Sequence, residues 1–245
     1  MTDAIPSAGA ISRSSVARVG VATVLSALCG YIVLYLAARD LAPAGFSLFS
    51  VFWGAFGLFT GAAFGLLQEA TREVRSVRDS GPVTEPHTLP MRAAALVAIS
   101  AALLIGGTSA LWAPHVFAAS EALSVLLLAV GLAGFCLHAT LLGVLAGVDG
   151  WTQYGALMVI DAAIRVAVAV CAFLLGWGLD GYLWATVAGS MSWLLVLASS
   201  QVARRAAGIR TRGTTKTFLA GASHSITAAT TGTGLSQRTK PQPGA

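Results

Sequence analysis

Charge is what this sequence has least of. Of its 245 residues only 10% are Asp, Glu, Lys or Arg and 56% are hydrophobic, whereas a soluble domain carries about 25% charged residues. That leaves too little polar surface to keep a folded chain in water. The mean hydropathy of +0.77 points to lipid as the solvent. Cysteine is scarce too: Cys29, Cys136 and Cys171 lie far apart inside apolar runs. Their spacing gives neither a disulfide framework nor a zinc site, so they read as small core residues. The short motifs of catalysis are missing as well. No glycine loop closes on Lys-Ser/Thr to cradle a phosphate, no paired His-Glu zinc helix is present, and there is no Gly-x-Ser-x-Gly elbow. The connections are too short for a separate catalytic domain. The expectation is a protein that is not an enzyme and holds no cofactor or metal.

What the chain does have is long apolar runs. Hydropathy and the Pro/Gly breaks place six spans at about Val16–Ala38, Gly45–Leu67, Met91–Trp112, Ala122–Gly147, Tyr154–Trp177 and Tyr182–Ser200. Each is long enough to cross roughly 30 Å of hydrocarbon as a helix. Barrel strands are about half that length and alternate in polarity, and helices pair their own backbone groups in lipid. The fold class expected is therefore an all-α polytopic membrane bundle. Residues 1–15 form an N-terminal arm, 16–200 the transmembrane domain, and 201–245 a basic tail of disordered composition. The first run is too long for a secretory signal core. Leu28 before Cys29 is too large for a lipoprotein cleavage site, so this run is expected to stay as an uncleaved helix.

The net charge of +5 finds its meaning in placement rather than in nucleic acid, which is not an expected partner. Arg13 and Arg18 precede the first span. Arg72, Arg75, Arg78 and Arg92 lie between the second and third. Arg204, Arg205, Arg210, Arg212, Lys216, Arg238 and Lys240 follow the sixth. With six spans these segments share one side, and 13 of the 15 Lys and Arg are there. The exceptions are Arg39 at the opposite side and Arg165 inside the fifth span. The positive-inside rule then puts both termini in the cytoplasm and the chain in the cell (inner) membrane. Gln68–Asp79 interleaves charges at helical spacing, so Glu69 with Arg72, and Arg75 with Asp79, can pair. It is expected to extend the second helix until Gly81-Pro82, as a solvated helix end or as a contact for lipid headgroups or a partner.

Within the spans, Gly57, Gly61 and Gly65 recur every four residues and line one face, which lets another helix approach closely. Gly143 and Gly147 are a weaker version in the fourth span. Asp161 and Arg165 lie four residues apart in the fifth. An unpaired charge at membrane depth costs about 2.5–3.5 kcal/mol, so they are expected to pair. They either line a cavity that takes substrate or couples an ion, or form a structural ion pair. His138, in the fourth span, reads as a satisfied core group or as a further cavity residue. Gln68 and Glu69 close the second span where a cavity mouth would open. Trp112, Trp151, Trp177, Trp184 and Tyr182 fall where an aromatic belt belongs.

Some of these segments resemble a known family. Leu36-Ala37-Ala38-Arg39-Asp40-Leu41-Ala42-Pro43-Ala44-Gly45-Phe46-Ser47-Leu48-Phe49 is similar to the turn after the first helix of the polysaccharide flippases, within the multidrug/oligosaccharidyl-lipid/polysaccharide exporter superfamily. Ser47 stands where that family usually has Gly. Gly65–Val74 resembles the ending of its second helix, and Gly147–Tyr154 the turn after its fourth. The resemblance covers about residues 13–205. It implies one lobe of a two-lobe transporter. The lobes enclose a central cavity and move a lipid-linked glycan by ion-coupled alternating access. Only the first lobe is present. The second is expected from a homodimer partner or a separate chain, with Thr217–Gly232 similar to the start of a seventh helix. A non-transporting scaffold for polysaccharide synthesis, or an inactive truncated or frameshifted product, is the alternative expectation.

Overall fold

The structure, a computed structural model, describes residues 13–80, 88–117 and 121–211. Among these residues eight helices follow one another. They are α1 (Arg13–Asp40), α2 (Pro43–Ser80), α3 (Pro90–Val116), α4 (Glu121–Gly147), α5 (Trp151–Leu175), α6 (Gly178–Ser190), α7 (Ser192–Ser199) and α8 (Gln201–Ala207). Six spans are long and apolar enough to cross a membrane, α6 and α7 together making the sixth. The chain is an all-α multi-pass membrane bundle. Its outer surface is apolar in the way lipid requires: Leu58, Leu103, Leu104, Leu111 and Leu174 are all exposed.

Helix α4 is the most buried span and forms the axis of the bundle. Helices α2, α3 and α6 pack on it, and α1 lies along α5. Glycine explains how closely α2 meets α4. A Cβ at Gly143 would strike the Leu67 carbonyl and the Ala70 side chain; one at Gly147 would strike Val74. The Thr71 hydroxyl uses this proximity, donating to the Leu67 and Gly143 carbonyls at 2.9 and 3.0 Å. At Gly57 and Gly61 a Cβ would meet nothing within 4 Å. Those two do not serve helix packing within this chain, contrary to expectation; of the α2 series only Gly65 is buried. Helices α1 and α2 barely touch, which leaves a gap between them.

Several ends differ from the hydropathy reading. Helix α1 begins at Arg13, inside the expected arm. Helix α3 runs through Pro114 to Val116 rather than stopping at Trp112. A proline in a last turn forfeits one backbone bond only, and Phe117 closes the helix on the Ala113 carbonyl at 2.8 Å. Helix α5 starts at Trp151, because its first polar turn lies beyond the apolar run. It stops at Leu175 because Gly176 takes φ +66°, and Trp177 N–H returns to the Ala172 carbonyl. Helix α6 starts at Gly178, not Tyr182, and the sixth span is broken at Met191.

The expected tail also begins differently. Helix α8 buries Ala203 and Ala206 against the bundle, and Arg204 folds back onto the carbonyls of Leu197 and Ala198. Thr211 then pairs antiparallel with Thr88, N–H to carbonyl at 2.8 and 3.3 Å. The readings of Gly81-Pro82, Thr217–Gly232 and the rest of the tail lie outside the described residues.

Candidate functional site

The gap between α1 and α2 opens into a cavity of about 210 Å³, floored by α4 and α5. Ser26, Trp53, Gly57, Thr60, Asp161 and Arg165 are among its lining residues. Arg165 Nε donates to Asp161 Oδ1 at 3.0 Å, one helical turn apart on α5. The side chains keep only 11% and 17% of their exposure, so each charge depends mainly on the other. The guanidinium also lies over the Phe56 ring, 5.4 Å from its centroid, a cation–π contact strengthened by low hydration.

A residue that sequence reasoning missed makes the pair possible. A Cβ at Gly189 of α6 would run into Arg165 and into Asp161 Oδ1. Two residues further on, the sixth span breaks. Met191 N–H bonds to the Ala188 carbonyl, Ser190 Oγ donates to the Val187 carbonyl, and a new helix starts at Ser192. Ser192 Oγ lies 3.1 Å from His138 Nδ1. His138 is buried and stacks on Phe135, ring centroids 5.4 Å apart. It does not line the cavity; it stands one layer behind Phe135, which does.

Gln68 and Glu69 are not in this cavity either. They stand three turns along α2, about 16 Å from Gly57. Glu69 is buried and takes Arg72 Nε at 3.0 Å, and Glu73 takes Arg72 Nη2 at 3.2 Å. Arg75 makes no ion pair among the described residues, so the expected bridge to Asp79 is not formed. Arg78 instead pairs with Asp149 in the α4–α5 turn. Gln68 lines a second cleft at this basic end. At the other end Asp40 accepts from the Tyr182 hydroxyl at 3.1 Å. Tyr182 is fully buried and therefore no part of an aromatic belt. Among the described residues no three His, Cys, Asp or Glu side chains group as a metal site requires.

Fold and cavity together define the class: a multi-pass helical membrane protein with a charged pair facing a cavity inside its bundle. No protein-family profile matches the chain. An uncharacterized protein of Mycobacterium bovis is 60% identical over 224 residues, covering 91% of this chain and 52% of the relative. Two uncharacterized proteins of Mycobacterium tuberculosis are each 59% identical. One match covers 91% of this chain and 52% of the relative, the other 90% and 51%. The chain thus spans about half the length of the curated relatives it matches. No solved structure matches it.

Proposed function

We propose that this chain is one half of a transporter, acting in the flipping or export of lipid-linked oligosaccharide or polysaccharide precursors across the cell membrane, with its termini in the cytoplasm. The observation that carries the reading is the Asp161–Arg165 pair facing a cavity at membrane depth. Static bundles avoid such charges, and carriers use them. The break at Met191, beside Gly189 and the pair, adds support, because interrupted helices next to midplane sites recur in secondary transporters. In this reading a second set of helices closes the gap between α1 and α2. The curated relatives, of which this chain covers about half, agree with that reading. The resemblance at Leu36–Phe49 and Gly65–Val74 supplies the substrate class. The chain itself performs no bond chemistry in this reading.

One observation favours the second reading, a scaffold that transports nothing: Asp161 and Arg165 satisfy each other internally. The test is to delete the gene and measure polyprenyl-linked glycan precursor on the inner leaflet. The native chain, Asp161→Asn and Arg165→Ala are then restored in turn. Transport predicts accumulation reversed by the native chain and not by either variant at equal protein level. No accumulation on deletion leaves the scaffold, and reversal by all three removes the charged pair from the transport mechanism.

A further inference from the structure

The second cleft is larger than the first, about 700 Å³, and lies between α2 and α5 at the basic end. Its walls are Gln68, Arg72, Arg75 and Ser76 from α2 and Trp151 and Tyr154 from α5; Leu67 and Ala146 make an apolar floor. The two aromatic rings stand 5.9 Å apart at 57°.

Depth is informative. Leu67 ends the apolar run of α2. Arg72 and Arg75 follow by five and eight residues, about 7 and 12 Å along the helix. Hydrocarbon of about 30 Å within a bilayer of 40–45 Å leaves some 5–8 Å per headgroup layer. The backbone of Arg72 is therefore at the outer part of the headgroup layer and that of Arg75 about 4–7 Å beyond it, from where a long guanidinium side chain reaches back to the layer.

Charge disposition is informative as well. Glu69 and Glu73 are buried and do not line the cleft. They hold Arg72 by Nε and Nη2 and leave its Nη1 donors for the cleft, with 65% of the side chain exposed. Arg75, exposed and without an ion pair among the described residues, is three residues away on the same face. Asp79, one turn beyond Arg75, also lines the cleft and brings a carboxylate to its wall. Arg78 is taken by Asp149.

We propose that this cleft binds the phosphate-ester headgroup of a membrane amphiphile. Arg72 and Arg75 take the anion, and Trp151 and Tyr154 flank the group esterified to it. Orientation of one guanidinium by buried carboxylates fixes the direction of its remaining Nη1 donors, so that Arg72 meets the anion through charge-assisted hydrogen bonds from one nitrogen. The site stands whether or not the chain transports.

The test titrates the full chain, in a neutral maltoside detergent, with short-chain phosphatidic acid, and follows binding by thermophoresis. Phosphatidylcholine of the same chain length is the control for the tails. Saturable binding of phosphatidic acid is expected, with phosphatidylcholine at least about tenfold weaker. Arg75→Gln is expected to weaken binding about tenfold. Arg78→Gln, which removes the same formal charge outside the cleft, is expected to stay within about twofold. Competition by glycerol 3-phosphate identifies the phosphate ester itself as sufficient; failure to compete identifies the membrane-anchored form as the source. Arg72→Gln repeats the test where the variant keeps its thermal midpoint; otherwise Arg75→Gln decides. No saturable binding, or equal weakening by Arg75→Gln and Arg78→Gln, overturns the site in favour of diffuse attraction to a basic surface.

Discussion

Asp161 and Arg165 meet where neither charge is fully hydrated, so the stability of each is conditional on the other. Replacing Arg165 with Met leaves a carboxylate uncompensated and is expected to destabilise the folded protein by about 3 kcal/mol, read as a lowered thermal midpoint in detergent. The double variant Asp161→Asn/Arg165→Gln is expected to lose clearly less than the two single losses added together. Additive losses would mean the two groups do not act as a pair. Gly189→Ala, which puts a methyl into Arg165 and Asp161, is expected to destabilise by about 1–3 kcal/mol, whereas Gly57→Ala, facing open space, stays within about 0.5 kcal/mol. The pair was legible in the sequence because both partners sit one turn apart on a single helix. Gly189 was not, because what it makes room for comes from a different helix. His138, Gln68 and Glu69 carried the right chemistry for a cavity, but a polar residue in an apolar run does not reveal which neighbours reach it.

At the level of elements, the α2–α4 seam is fixed by contacts too close for a side chain. Gly143→Ala is expected to separate the two helices and break the Thr71 hydroxyl bond to the Gly143 carbonyl, at about 1–3 kcal/mol. Gly61→Ala, four residues beyond Gly57 on the same open face, is expected to leave the thermal midpoint unchanged. Comparable losses in both variants would contradict the packing. Hydropathy located all six spans, because in lipid the apolar length of a helix is dictated by the thickness it crosses. It did not locate all their ends, since α5 begins a polar turn before its apolar run; the continuation of α2 to Ser80 was legible instead in the helical charge spacing of Gln68–Asp79. Nor did it show the break at Met191, which interrupts a run with no proline and only Ser190 and Ser192 as polar marks. The glycine period on α2 was equally ambiguous. It defines a face but not an occupant, and the weaker pair, Gly143 and Gly147, turned out to make the contact.

At the scale of the whole molecule, α4 is the axis, α2 and α3 are packed on it, and α1 lies with α5 across a gap. Charge sorts with this architecture: Arg72, Arg75 and Arg78 are at one end and Arg39 at the other. In intact cells a membrane-impermeant thiol reagent is expected to label Arg39→Cys from outside, and Arg75→Cys only after the membrane is opened. The same chemistry tests the cavity most directly. In a chain with Cys29, Cys136 and Cys171 replaced by alanine, Thr60→Cys lies on the cavity wall and Leu103→Cys faces lipid. A hydrated cavity predicts that the reagent modifies residue 60, that it leaves residue 103 untouched, and that labelling of residue 60 changes when Asp161 is made Asn. Residue 60 as unreactive as residue 103 would mean a dry seam around the Asp161–Arg165 pair, and transport through this half of the bundle would be contradicted.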